Sequence, residues 1–176
     1  MSTSETQKIT NFDSKIFGDL LVNNKSFVSN FEYEELTGTA KEGLAIVTCM
    51  DSRIDPLRIV VMSAGDAKIL RNAGARVTED VLRTLILATT LLNVSRILVM
   101  PHTDCRMASG TEEQIHATIL ERSGIDTRSV EIRTVSDQIS ALKSDLVRIE
   151  KFPLLPKNIE VIGAIYNVKT GELRKI

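Results

Sequence analysis

The chain predicts an α/β domain: a mostly parallel open sheet with helices on both faces, preceded by an N-terminal helical arm. Three observations lead there. Apolar runs of strand length, such as L-A-I-V-T (44–48) and R-I-L-V-M (96–100), are separated by stretches of helical period. The pattern repeats as β-α-β-α-β-α-β-α-β, which requires crossover connections and therefore parallel strands. At 176 residues and 43% hydrophobic, the chain can bury one real core but is short for two. Residues 1 to about 10 are polar and read as a disordered tail, leaving 11–176 as a single domain. No internal repeat or low-complexity tract interrupts it.

Each element has its own signal. From Ser14 to Phe31, Ile16, Leu20, Leu21, Phe27, Val28 and Phe31 suggest a helical arm, interrupted near Asn23-Asn24. Standing apart from the strand pattern, it suits packing on a second subunit. Gly43 opens a strand over 44–48, and Asp55-Pro56 starts a short helix, since proline tolerates a first turn whose amide is unpaired. A second strand over 67–70 stops at R-N-A-G-A. Thr78 then caps a long helix with Glu79 and Asp80 in its first turn. Val81, Leu82, Leu85, Ile86, Ala88, Leu91 and Leu92 cover more than one of its faces, which predicts burial on two sides. A third strand spans 96–100, and a more polar helix runs from Thr111 to about Arg122, ended by Gly124. Residues 131–135 predict a fourth strand. Ser136 is the expected cap of a helix whose Ile139, Leu142, Leu146 and Ile149 keep a regular period. V-I-G-A-I-Y-N-V and K-T-G-E-L close the chain as strand, turn and return strand.

The totals exclude several functions. A net charge of −1 gives no reason to expect nucleic acid or an anionic membrane as partner. Aromatics are 4% with no tryptophan, so no stacking platform for bases is evident. The first ten residues lack the apolar centre of a secretory leader, and no segment is long enough to span a membrane. The expected compartment is a reducing cytosol, where cysteines in loops are more often metal ligands or redox groups than disulfides. No phosphate loop or G-x-G-x-x-G follows the first strand, which weakens a nucleotide-binding reading.

The chemistry concentrates in two short runs. T-C-M-D-S-R follows the first strand and P-H-T-D-C-R the third. Between them they hold the chain's only two cysteines and one of its two histidines. If both strands share one sheet, both runs emerge at its carboxyl edge. Cys49, His102 and Cys105 would then supply the three ligands of a catalytic zinc site, with a fourth position open. Thiolates favour zinc over magnesium or calcium, though Co(II) or Fe(II) could fit. Bound zinc lowers the pKa of water to roughly 7 and so makes hydroxide available at neutral pH. Asp51, kept ionised by Arg53, could orient that hydroxide. If the Arg53 contact broke, Asp51 could swing onto the metal and close the site. Arg71, Asn72 and Gly74, at the second strand's end, are candidates for lining the substrate position. Asp104 reads as a turn carboxylate bonding local amides, with an electrostatic role behind the ligands as the alternative. His116, on a polar helix, reads as a solvated residue.

These residues resemble the β-class carbonic anhydrases. C-M-D-S-R is similar to that family's C-x-D-x-R, H-T-D-C to its H-x-x-C, and R-N-A-G-A to its R-N-A-G segment. The resemblance implies zinc on Cys49, His102 and Cys105, with Asp51-Arg53 as the orienting dyad. It also implies a four-strand parallel sheet with an added edge strand, and an obligate dimer with exchanged N-terminal helices, or a larger homo-oligomer. The implied activity is reversible hydration of carbon dioxide. Relatives that hydrolyse carbonyl sulfide or carbon disulfide share these motifs, so that chemistry stands as the alternative. A non-catalytic metal or redox module is the third reading. Arg106 stands where the family commonly has glycine, and the lack of tryptophan argues against a tryptophan-based regulatory bicarbonate pocket.

Overall fold

The computed structural model describes residues 16–176. The tail expected at residues 1–10 and the start of the arm at Ser14 lie outside them. The chain divides into two compact units, residues 1–36 and 37–176.

In the first unit, helix α1 spans Gly18–Val28 and buries none of its residues. It runs unbroken through Asn23-Asn24, where an interruption was expected. Asparagine costs only a few tenths of a kcal/mol in a helix interior, too little for two to end one. Phe27, Phe31 and Tyr33 form an aromatic trio with ring centroids 5.7–6.3 Å apart.

The second unit is built on a five-stranded sheet. Its strands are β1 (Leu44–Cys49), β2 (Ala67–Asn72), β3 (Arg96–Met100), β4 (Glu160–Tyr166) and β5 (Leu173–Lys175). They lie in the order β2-β1-β3-β4-β5. The first four are parallel, and β5 returns antiparallel on β4, giving four strands and an added edge strand. Every residue of β1 is buried, as suits a central parallel strand covered on both faces. Side chains alternate between two clusters. Ala45, Val47, Ile97 and Val99 face one cluster, and Leu44, Ile46, Leu98 and Met100 face the other.

Helices α3 (Glu79–Leu91) and α5 (Gln138–Glu150) pack on the first face. The short α2 (Pro56–Ile59) and its flanking residues Ile54 and Val60 cover the second. Helix α4 (Glu112–Ser123) buries none of its residues. It starts on the expected cap: Thr111 and Gln114 bond each other's backbone amides, and Gly124 ends the helix at φ 69°.

Two expectations are corrected, and a third meets only half its cover here. Residues 131–135 form no strand. Arg133 adopts a left-handed φ of 61°, and the Ile132 amide donates to the Glu112 carboxylate at 2.7 Å, so the ladder cannot form. The cap of α5 is Asp137, not Ser136; its carboxylate accepts from the amides of Ile139 and Ser140 at 2.9 and 3.3 Å. Helix α3 buries one stripe, Val81, Leu82, Leu85 and Ala88, while Leu87 and Leu91 stay 44% and 69% exposed. Its second apolar side finds no cover among the described residues of this unit.

The topology locates the working edge. From β1 the chain crosses to β2 on one side, then returns to place β3 on the other. Loops leaving β1 and β3 therefore diverge and leave a crevice outside their carboxyl ends.

Candidate metal centre

Cys49 is the last residue of β1, and His102 lies two residues beyond β3. The ends of these strands are locked together: Thr48 Oγ1 donates to the Met100 carbonyl at 2.7 Å, fully buried. His102 continues the register as an isolated bridge to Tyr166 of β4, and the Thr103 amide donates to the Tyr166 carbonyl. The loop then turns through Asp104, at φ 57°, and brings Cys105 back beneath His102. Aspartate tolerates this left-handed conformation better than most residues.

The ligand atoms of Cys49, His102 and Cys105 all lie within 4.8 Å of one another, and the two sulfurs are 4.0 Å apart. All three residues are buried. His102 Nδ1 lies 2.8 Å from the Thr103 carbonyl. A carbonyl can only accept, so Nδ1 carries the hydrogen and Nε2 keeps its lone pair. That Nε2 is the one buried side-chain nitrogen or oxygen without a hydrogen-bond partner among the described residues. An orphaned acceptor in a dry site is costly unless something binds it. Two thiols and this lone pair form a soft donor set suited to a thiophilic transition metal. The residues fit a metal ion on the chemistry and burial of their donors.

Burial and ion pairing act on the acidic groups of the site in opposite directions. Burial pushes the Cys105 thiol up to about 11; the Met107 amide opposes the shift and the adjacent Cys49 adds to it. Asp51 moves the other way. The guanidinium of Arg53, then its backbone amide, hold the Asp51 carboxyl well below the usual carboxylate range, against the effect of burial. Arg53 grips it at both oxygens, Nε to Oδ1 at 2.9 Å and Nη2 to Oδ2 at 2.7 Å. Asp51 Oδ2 lies 3.8 Å from His102 Nε2, too far for a hydrogen bond but beside the ligand cluster.

The R-N-A-G segment sits against this loop. Arg71 donates from Nε to the Cys49 carbonyl at 3.0 Å and from Nη2 to the Asp51 carbonyl at 2.6 Å. Asn72 closes a turn by bonding the amide and carbonyl of Arg76. Gly74 takes φ 80° and points its amide at Cys49 Sγ, 3.4 Å away. A Cβ there would meet Met107 at 3.2 Å, so both the turn and the close approach call for glycine.

One residue with a role at the centre carries no signal in the sequence, and for Asp104 the structure favours the alternative reading. Gln138, the first residue of α5, donates from Nε2 to the His102 carbonyl at 2.6 Å. No spacing signal could have revealed a contact across 36 residues. Asp104 was read as bonding local amides, yet its carboxylate reaches Arg53. His116 is not solvated: its side chain is 12% exposed, and Nδ1 lies 2.8 Å from Thr127 Oγ1. Arg106 is exposed beside Cys105, at the start of a single 3₁₀ turn over Arg106–Ala108.

Fold and donor set together define a class: an α/β protein whose metal-binding group is assembled from two strand ends at a topological switch point. Comparison with known proteins makes this specific. The family model for carbonic anhydrase matches residues 44–126. The chain is 35% identical over 159 residues to beta-carbonic anhydrase 1 of Mycobacterium tuberculosis, covering 90% of this chain and 96% of that one. A crystal structure of carbonic anhydrase from Streptococcus mutans superimposes with a TM-score of 0.85 at 34% identity, covering 91% and 96% of the two chains. A carbon disulfide hydrolase of Acidianus is 30% identical over 157 residues, covering 75% of this chain and 76% of that one. The chain belongs to the β-carbonic anhydrase family.

Proposed function

We propose that this protein is a zinc enzyme that reversibly hydrates carbon dioxide to bicarbonate and a proton. The observation that carries the reading is the buried Cys49–His102–Cys105 cluster, with its unpartnered imidazole nitrogen next to the Asp51–Arg53 pair. Cys49, His102 and Cys105 would hold the ion; two sulfurs and one imidazole nitrogen are a ligand set that zinc accepts with a fourth position left over. Zinc held there supplies hydroxide at neutral pH by lowering the pKa of water to roughly 7.

The chain's own residues do the rest. Asp51 stays ionised because Arg53 holds it, so it accepts hydrogen bonds and cannot donate them. It would accept a hydrogen bond from the attacking hydroxide and so aim the oxygen lone pair toward the substrate carbon, keeping the proton on the oxygen. Arg71 fixes the backbone of Cys49 and Asp51, so ligand and acceptor move as one unit. Arg71, Asn72 and Gly74 are our candidates for the residues around the substrate; of these Gly74 bounds a small recess beside Cys105, together with Pro101, Met107, Arg76, Gln138 and Asp145. That lining mixes apolar side chains with the Arg76–Asp145 ion pair.

The reading extends to a homodimer or larger homo-oligomer in the cytosol. It is supported by the uncovered Leu87 and Leu91 of α3 and by α1, which buries nothing. Among the described residues no helix is long and apolar enough to cross a membrane.

A second reading, hydrolysis of carbon disulfide or carbonyl sulfide on the same site, is favoured by the similarity to the Acidianus enzyme. Stopped-flow hydration of carbon dioxide by protein of verified zinc content tests the first, and sulfide release on the same preparation tests the second. Fast hydration with little sulfide is the expected result. Sulfide release with poor hydration would transfer the mechanism to the second substrate class, and silence on both would leave a non-catalytic metal module.

A further inference from the structure

The Arg53 guanidinium is held on two sides. One edge grips Asp51. The other meets Asp104: Nη1 donates to Oδ2 at 2.8 Å and Nη2 to the main-chain carbonyl at 3.1 Å. Four of the five guanidinium hydrogens are thereby committed. An exposed arginine paired with one carboxylate keeps the freedom of its long side chain, and such a pair is weak. A planar fork anchored along both edges has a fixed plane and position.

Asp104 sits between two members of the metal-binding group, His102 and Cys105, on the loop leaving β3. Arg53 and Asp51 belong to the loop leaving β1. The Asp104 carboxylate is therefore a strut between the two loops, and its left-handed backbone aims it across the gap rather than at local amides. What it holds in place has consequences, because Asp51 Oδ2 already stands 3.8 Å from His102 Nε2. A carboxylate so close to three metal-binding atoms either stays with its arginine or becomes a fourth ligand.

We propose that Asp104 is a positioning residue that, through Arg53, keeps Asp51 as a hydrogen-bond acceptor and prevents it from closing the metal site. This rests on the zinc reading above. Without Asp104 the guanidinium swings outward, Asp51 follows its own attraction to the ion, and the open position is lost.

The test uses Asp104→Gly, which removes the carboxylate and accepts the positive φ, and Asp104→Asn, which keeps one acceptor oxygen. Each variant and the wild type are loaded with Co(II) and titrated with azide, and the visible spectrum of the metal reports entry to the open position. The zinc forms are assayed for hydration in parallel, and the zinc form of Asp104→Gly is crystallised. The expected result is metal retained in both variants, with azide affinity and kcat of Asp104→Gly lowered by about ten- to a hundredfold. Asp104→Asn falls between it and the wild type, and the crystal shows the Asp51 carboxylate on zinc. Unchanged azide affinity in Asp104→Gly overturns the proposal. So does loss of metal from both variants, which would make Asp104 a residue of the fold alone. The azide titration needs no turnover, so a wild type inactive toward carbon dioxide would sink the hydration reading and still decide the role of Asp104.

Discussion

Gln138 Nε2 donates to the main-chain carbonyl of His102 at 2.6 Å, so the first turn of α5 holds the peptide from which the imidazole hangs. His102 is wholly buried, and its carbonyl has no water to turn to if the amide is removed. Gln138→Ala should destabilise the protein by about 1–3 kcal/mol through that unsatisfied group. It should also weaken zinc binding by about tenfold or more, as loss of a partner behind a ligand commonly does. Competition with a chromophoric chelator measures the second effect. Unchanged zinc affinity alongside reduced stability would confine Gln138 to holding the fold.

Asp51→Asn keeps the shape of the side chain and removes its charge. Cys49, His102 and Cys105 are untouched, so zinc content should stay at wild-type level. Turnover should fall by about a hundredfold or more, the scale of loss when the attacking atom is no longer held in its reactive orientation. Stopped-flow hydration at matched zinc content decides it, and wild-type turnover would remove the Asp51–Arg53 pair from the mechanism.

Removing the metal should stop activity without unfolding the protein. The sheet buries one apolar cluster on each face; the second includes Cys49 and Cys105, but aliphatic side chains make up most of it and the first contains no ligand. The fold therefore assembles the site, unlike small domains that fold only around their zinc. Far-ultraviolet circular dichroism before and after chelation should be nearly superimposable. Activity should return with one equivalent of zinc.

The cap of α5 carries a pH signature. Hydrogen bonds from Ser140, first its hydroxyl and then its amide, hold the Asp137 carboxyl below its ordinary value of 3.8. A carboxyl whose folded pKa is depressed stabilises the protein above its unfolded pKa, and that contribution is lost as pH falls through the folded value. Asp137→Ala should therefore melt at a lower temperature than the wild type at neutral pH. The gap should narrow as pH drops below about 4. A gap independent of pH would mean that the cap acts through geometry without its charge.

Packing beneath β4 is equally specific. A Cβ on Gly163 would lie 2.9 Å from Leu146 Cδ1 and 3.0 Å from Leu142, a core residue of α5. Gly163→Ala should destabilise by about 1–3 kcal/mol by forcing α5 off the sheet. Leu85→Ala, at a position with no exposure, should lose about 2–5 kcal/mol by leaving a cavity. Urea denaturation of both variants gives the values.

Where the fold was legible, the reason was local. The runs at 44–48 and 96–100 are too apolar and too short for anything but buried strands, and Thr111 with Gln114 specifies a helix start within four residues. The run at 131–135 failed because strand propensity is only a statement about fitting a ladder. Glu112, some twenty residues away, took the Ile132 amide instead. Helix α3 shows the opposite limit: its two-sided apolar pattern is real, but one side has no cover among the described residues of its unit, and a sequence does not say whose atoms will provide it.

The sequence by itself determined the donor inventory and its placement at two strand ends: Cys49 with Asp51 and Arg53 after one strand, His102 and Cys105 after another. Those choices are written in residue type and spacing. Only the tertiary structure decided what links them. Arg71 holds the first loop from β2, Gln138 holds the second from α5, and Asp104 ties the two together through Arg53. Each link joins residues far apart in the chain, and hydrogen-bond geometry at 2.6–3.0 Å exists only once the sheet has set strand order and register.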